Sequence, residues 1–303
     1  MPSTLPSPCS RHLRLLCLLV LCPVLMAVGS SVASSAGLEE KRSCIQEVDG
    51  YAYLAEKLTL AEMRQAAIAN AKEQALGNAR TYIKTKTEVE NFTLKSDLVQ
   101  LQAEGSVVVL ELRDLGIEDN SRYHVRIKAE VFYEIVAPQT AKAAAPSPGA
   151  ETLTVRLWTN QAGYKAGEKI VINLQGNRDF YARIVNVSPG GNIIQLLPNS
   201  IRSEAFFRGN TLYTIPGPGD QFDLTVSPPF GQETVIVYAS LVELGSVALQ
   251  PASGGLATFP GDRATLAKAT RAITVTPTAK AAAGDGTAIT DFYEARLPLE
   301  TRQ

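Results

Sequence analysis

Helical periodicity fills one long stretch of this chain, and period-two patterning fills most of the sequence beyond it. Leu60, Met63, Ala67, Ala71, Ala75, Ala79 and Tyr82 recur at spacings of three and four, flanked by Ile68, Leu76 and Ile83. That is the apolar stripe of an amphipathic helix. Thr59-Leu60-Ala61-Glu62 just ahead of it has the form of a capping box. In that arrangement the Thr59 hydroxyl accepts from the Glu62 amide and the Glu62 carboxylate accepts from the Thr59 amide. Because the stripe is mostly alanine, the helix can approach its partner closely, and a sheet is the natural partner.

The sheet is legible in the alternation of Tyr123, Val125, Ile127, Ala129 and Val131 with Arg122, His124, Arg126, Lys128 and Glu130. Such a pattern marks a half-buried strand, with one face on the helix and one in water. Residues 105–113 supply a second strand, and the polar residues 114–121 turn the chain between the two. Weaker strands are expected at 48–54 and 85–92, while 37–48 reads as a linking segment. The first domain is therefore α+β, over residues 48–136.

Residues 137–151 (APQTAKAAAPSPGAE) hold three prolines and no apolar period, the composition of a semi-stiff interdomain linker. Beyond them, short strands are expected at 153–157, 170–172, 180–187, 193–197, 211–215, 222–226 and 234–239. Ser188-Pro189-Gly190-Gly191-Asn192 makes a hairpin turn between two of these. Strands at this spacing argue for an all-β sandwich over 152–303, with its core at 153–240. Toward the end, 261–269 reads as a short helix, 272–276 as a strand, 278–286 as a loop and 287–297 as a closing strand.

Residues 1–36 read as an export signal. Arg11, His12 and Arg14 precede an apolar run over 15–28 that is broken only by Pro23, and small residues lead to cleavage after Ala33 or Ala36. The run is too short to span a bilayer as a stable helix, and Leu21 before Cys22 is not the small residue that a lipidation site needs. A periplasmic or secreted location is expected, without a stable membrane span in the mature chain. Removing the signal leaves Cys44 as the one cysteine and His124 as the one histidine. Cys44 is then a free thiol or pairs with another chain. The net charge of −1, with basic and acidic residues interleaved, gives no footprint for nucleic acid.

Two stretches of the chain resemble known families. Asp49-Gly50-Tyr51-Ala52, Arg64-Gln65-Ala66-Ala67, Ala71-Lys72-Glu73-Gln74-Ala75, Gly105-Ser106-Val107 and Tyr123-His124-Val125-Arg126-Ile127 stand as in a family of bacterial envelope proteins. Residues 48–135 resemble that family, which includes the N-terminal domain of flagellar assembly protein T and an LPP-type surface lipoprotein family. The resemblance implies a two-layer α/β sandwich in the periplasm and no catalysis. In the second domain the motifs are Tyr164-Lys165-Ala166-Gly167-Glu168, Gly191-Asn192-Ile193-Ile194-Gln195-Leu196-Leu197-Pro198-Asn199, Tyr213-Thr214-Ile215-Pro216 and Pro228-Pro229-Phe230-Gly231-Gln232-Glu233. These are similar to a bacterial domain of unknown function found behind caspase-like peptidase and protein kinase domains. That likeness implies a β-sandwich with an accessory role and supplies no reaction.

The residues themselves offer little chemistry. His124 falls on the polar side of its strand, and an exposed histidine is expected there. One His and one Cys without ligand spacing do not suggest zinc. No phosphate-binding G-x-x-x-x-G-K-[ST] and no G-x-S-x-G are found. Asn91-Phe92-Thr93 fits a glycosylation sequon, to which the resemblances to bacterial families give little weight. Acidic clusters (Asp114, Glu118 and Asp119; Asp220 and Asp223; Glu168 and Glu233) leave a two-carboxylate hydrolase as the weakest of three readings. Trp158 is expected in the core. The turns of the second domain explain its motifs structurally. Alternatively, they gather at one end as a binding rim of Tyr164, Gly167, Glu168, Asn199, Tyr213, Phe230, Gly231 and Glu233. The leading expectation is a non-enzymatic exported module without cofactor, whose partners are envelope or outer-membrane-associated proteins. The alternative is a carbohydrate or peptidoglycan-fragment binder.

Overall fold

The computed structural model describes residues 37–54, 58–90, 107–134, 152–275 and 288–303. The export signal, the linker at 137–151, the sequon and the loop expected at 278–286 lie outside the described residues. The elements in chain order are β1 (Glu39–Tyr53), α1 (Leu60–Glu90), β2 (Val107–Glu118), β3 (Arg122–Tyr133), β4 (Val155–Thr159), β5 (Gly163–Lys165), β6 (Ile172–Gly176), β7 (Phe180–Val187), β8 (Ile193–Leu197), β9 (Phe206–Phe207), β10 (Tyr213–Ile215), β11 (Gly231–Ser240), β12 (Gln250–Pro251), β13 (Ala257–Phe259), α2 (Arg263–Thr270) and β14 (Ile289–Arg302).

The helix forms as its period demands. The Thr59 amide donates to Glu62 Oε2 at 2.8 Å and the Glu62 amide donates to Thr59 Oγ1 at 3.3 Å, so the capping box is closed. Ala67, Ala71, Ala75 and Ala79 are fully buried against Val48, Val125, Ile127 and Ala129. Gly50 of β1 lies directly beneath the helix, where an added Cβ would overlap the Ala67 carbonyl oxygen and the Ala71 side chain. The helix runs through Glu90, so the strand expected from residue 85 is not formed over 85–90. Thr85 and Thr81 reconcile their hydroxyls with the helix by donating to the carbonyls four residues back, at 2.9 and 3.2 Å.

The described strands form two sheets. The larger, of eleven strands, runs β12-β13-β8-β7-β11-β14-β1-β3-β2, with β5 joined to β14 and β9 to β7; the smaller runs β10-β6-β4. On one face α1 covers the β1/β3/β2 part, and the small sheet covers β7, β8, β11 and β14 to make a β-sandwich around Phe180, Ile184, Val237 and Tyr293. On the other face α2 packs Leu266 against Ile45, Ile236, Tyr238 and Phe292. The fold is thus α+β, with one long helix on an antiparallel sheet and a sandwich beside it.

Several expectations change here. The segment 37–48 does not link: from Glu39 it is strand β1, paired with both β14 and β3. It lacked the half-buried alternation because it is buried on both faces, with Cys44 under the helix and Ile45 under α2. Its polar residues are tied off. Gln46 Nε2 donates to the Ala75 carbonyl at 2.8 Å, and Ser43 Oγ donates to Glu130 Oε1 at 2.7 Å. The closing strand extends to Arg302 and lies between β11 and β1, so one sheet carries strands from both sides of the 137–151 segment. Residues 272–275 form no strand, and 222–226 contribute only a single bridge, Thr225 to Lys169. The turn expected over 114–121 narrows to 119–121, where Asp119 and Asn120 adopt positive φ. Trp158 is half-buried, with the Arg156 guanidinium 5.4 Å from its ring centroid.

Cys44 is a free thiol and is fully buried. Burial, reinforced by Asp291 and Glu130, pushes its thiol well above the ordinary cysteine value. In a chain lacking residues 1–36, where Cys44 is the one cysteine, a thiol-reactive dye is therefore expected to label native protein only as fast as the fold opens, and to label it at once in denaturant. Native labelling at the rate of free cysteine would contradict this placement.

Candidate functional site

The residues singled out from sequence are spent mainly on building the sandwich. Tyr164 of β5 is buried in the core, and its hydroxyl donates to Asn160 Oδ1 at 2.6 Å. Gly167 takes φ +81° in the turn after it, and Glu168 closes that turn by accepting from the Lys165 amide at 2.8 Å. Asn199 is buried; its Nδ2 donates to the Leu196 carbonyl, and its Oδ1 accepts from the amides of Ile201 and Arg202. Tyr213 is half-buried and stands edge-on to Phe207, its hydroxyl accepting from the Arg208 amide at 2.9 Å. Phe230 packs against the sandwich core, and the Gly231 amide donates to Thr301 Oγ1 at 3.1 Å. With Tyr164 inside, these residues do not present a common aromatic rim.

Glu233 does reach a cavity. A cleft of about 570 Å³ opens between the two sheets. The large sheet contributes Asn186, Ile194, Leu196, Glu233 and Val235; the small sheet contributes Ile172; the segment 221–229 closes the side with Phe222, Leu224, Val226, Pro228 and Pro229. Glu233 is buried, holding Asn186 Nδ2 at 2.5 Å with one oxygen and Thr301 Oγ1 at 3.0 Å with the other. The far oxygen of that amide, Asn186 Oδ1, is buried with no hydrogen-bond partner among the described residues. Asp223 also lines the cleft, and its Oδ2 is paired with Lys169 Nζ at 2.9 Å. The result is an apolar slot with a few fixed polar groups, the composition common to binding pockets, whose volumes run from about 300 to 1,000 Å³.

Residues 163–243 match a family described as a domain of unknown function, DUF4384. The match falls on the part whose motifs suggested such a domain, and it begins at β5 and ends just past β11. Nearly all of the cleft lies inside the DUF4384 region; Ser253, Gly254 and Leu256 come from beyond it. Comparison with curated proteins gave no match, and comparison with solved structures gave none.

His124 is buried, not exposed as its place in the alternation suggested. The Tyr51 ring stacks on it with centroids 4.4 Å apart, which shields a side chain on the polar face. Its Nε2 lies 2.7 Å from Asp49 Oδ1 and its Nδ1 lies 3.7 Å from Glu118 Oε2. Burial would raise the Asp49 carboxyl, but hydrogen bonds from Arg126 and His124 hold it below the usual range. Both imidazole nitrogens thus face carboxylates, a geometry that fixes the ring and leaves neither nitrogen beside a nucleophile. Among the described residues no group of three His, Cys, Asp or Glu side chains is placed to hold a metal ion. No described helix is long and apolar enough to cross a membrane.

Asn186 was not singled out from sequence, although a signal was there. It stands in the apolar run of β7, where a polar residue facing inward requires a bonded partner or a cavity.

Proposed function

We propose that this chain is a non-enzymatic exported protein of the cell envelope, acting as an assembly or interaction module, and that the cleft in the DUF4384 region is where it grips a partner. One observation carries this reading. The polar side chains of the sandwich motifs are committed to internal bonds, while an apolar slot of about 570 Å³ stays open between the sheets. A slot of that lining suits apolar side chains of an envelope or outer-membrane-associated protein. The leader-like residues 1–36 and the resemblance of residues 48–135 to envelope families support the location. The aromatic platform needed by a carbohydrate binder has no support from Tyr164, which is buried.

A carboxylate hydrolase has one observation in its favour, since Asp223 and Glu233 line the same cleft. Both are already engaged, Asp223 by Lys169 and Glu233 by Asn186 and Thr301.

A photoreactive residue at position 222 tests the proposal. It is expected to crosslink a defined envelope protein in cells, and Ile194→Trp, which fills the slot, is expected to reduce that crosslink at least about fivefold while expression is unchanged. The same yield with and without the tryptophan would rule out the cleft as the point of contact.

A further inference from the structure

Glu233 is the one buried acid among the described residues that has no cationic partner. Three others are buried: Glu130, Asp291 and Glu294. Arg271 holds Glu130 and Glu294 at 2.8 and 2.6 Å, and Arg178 lies 3.9 Å from Asp291. Glu233 has Asn186 and Thr301, both uncharged, and forms no ion pair among the described residues. A buried carboxylate without a counter-charge is costly to a fold, and this one is set in the wall of a cleft.

Alternation along β11 aims it there. Val235, Val237 and Ala239 belong to the sandwich core, while Ile236 and Tyr238 lie on the α2 side. Glu233 continues the first series and faces the space between the two sheets. Its two donors hold the group in place but use only two of the about four hydrogen bonds that a carboxylate can accept. No Lys, Arg or His belongs to the cleft lining. Asp223, the other acid there, is 58 % exposed and already matched by Lys169 at 2.9 Å. The cleft therefore offers one buried negative charge, set among the apolar side chains of Ile172, Ile194, Leu196 and Val235.

We infer that the cleft receives a lysine side chain of the partner, with the methylene stem along the apolar walls and the ammonium on Glu233. This rests on the reading of the cleft as the place where a partner is gripped. Lysine suits the site better than arginine does. A guanidinium favours two parallel bonds to the two oxygens of one carboxylate, and each oxygen of Glu233 already holds a donor of its own. An ammonium is a compact charge on an apolar stem, and one free lone pair is enough for it.

Titration of the purified chain with n-pentylamine and with 1-pentanol, followed by the amide NMR signals of the cleft strands, separates charge from stem. The amine is expected to bind at least about tenfold more tightly than the alcohol. Glu233→Gln should bring the amine down to the alcohol and leave the alcohol unchanged. Equal binding of the two by the unaltered protein would overturn the lysine assignment while leaving the cleft a docking slot, and binding of neither would overturn it as well. If Glu233→Gln fails to fold, Asp223→Asn decides: a preference for the amine that survives it supports Glu233 as the acceptor, and a lost preference overturns it. In cells, Glu233→Gln should cut the crosslink from position 222 at least about fivefold. An unchanged crosslink beside a lost amine preference would make the ligand a free amine and overturn docking by a partner lysine. Failure of the cleft reading itself looks different, since no crosslink would then form from position 222 with Glu233 intact.

Discussion

Replacing Arg271 with alanine is expected to destabilise the protein by about 3–5 kcal/mol, the cost of breaking a buried ion pair from one side. The side chain follows α2 and reaches through to the large sheet. Its Nε donates to Glu130 Oε1 at 2.8 Å and its Nη2 to Glu294 Oε2 at 2.6 Å, and the guanidinium lies over the Phe292 ring at 4.7 Å. Glu130 also takes the Ser43 hydroxyl, and Glu294 also takes Arg296 Nε at 2.6 Å. Strands β1, β3 and β14 therefore meet α2 at one desolvated cluster. Alanine would leave Glu130 with a single hydroxyl donor in a site that is 2 % exposed. Equilibrium unfolding in denaturant reads the loss, and a loss under about 1 kcal/mol would show that the site relaxes to admit water. Changing the group as a set, Arg271→Met with Glu130→Gln and Glu294→Gln, should recover much of the loss because no fully buried charge is left unpaired, Arg296 being partly exposed and keeping Glu39 at 3.6 Å.

The same cluster makes the fold acid-sensitive in a defined direction. Burial would raise the Glu294 carboxyl, but Arg271 and Arg296 hold it below its ordinary value. A carboxylate depressed in the folded state contributes its full stabilisation above the unfolded pKa of about 4.3. That contribution is lost as the pH falls through the lower, folded value. Unfolding curves measured down through this window should show the parent protein losing stability, and a Glu294→Gln variant, weaker throughout, losing less.

The second large effect is expected at Gly50. Here β1 approaches α1 so closely that a Cβ would overlap the Ala67 carbonyl oxygen, the Ala71 amide nitrogen and the Ala71 side chain. Two of those three are helix backbone, which no rotamer change can move aside. Gly50→Ala is therefore expected to cost about 3 kcal/mol, the upper part of the range for overpacking, although alanine suits a strand better than glycine does. The neighbouring tie from Gln46 to the Ala75 carbonyl would be pulled with the helix. Amide exchange along α1 should accelerate together with that of β1 and β3. A variant of unchanged stability would mean that the helix shifts outward freely, which the four buried alanines of its stripe argue against.

How far each element was legible in advance depends on where its signal lives. The α1 stripe, the capping box, the β7–β8 hairpin and the β3 alternation are local patterns, and each appears where it was expected, except that the stripe starts at Met63 because Leu60 is exposed in the first turn. The first part of β1, before the strand expected from residue 48, escaped because alternation betrays only strands with one wet face, and Cys44 and Ile45 are buried on opposite faces. His124 followed the alternation rule but was covered by Tyr51, a cross-strand contact that the pattern cannot contain. The proposed site was less legible still. Glu233 was noted for its motif, but it and Asn186 draw their meaning from an uncharged or missing partner, and partners are set by packing.

The order of residues by itself determined the alanine-striped helix, the antiparallel strands beside it and the turn-rich sandwich, because periodicity and turn chemistry act over a few neighbours. Only the tertiary structure decided that β14 lies between β11 and β1, so that Ser43 and Phe292 touch across 249 positions of chain. It also decided that Glu130, Asp291 and Glu294 lie inside. The physical reason is that burying charge is tolerable only where distant partners converge: Arg271 for Glu130 and Glu294, and the Tyr82 hydroxyl and the Leu153 amide for Asp291. No short stretch of residues records such a convergence.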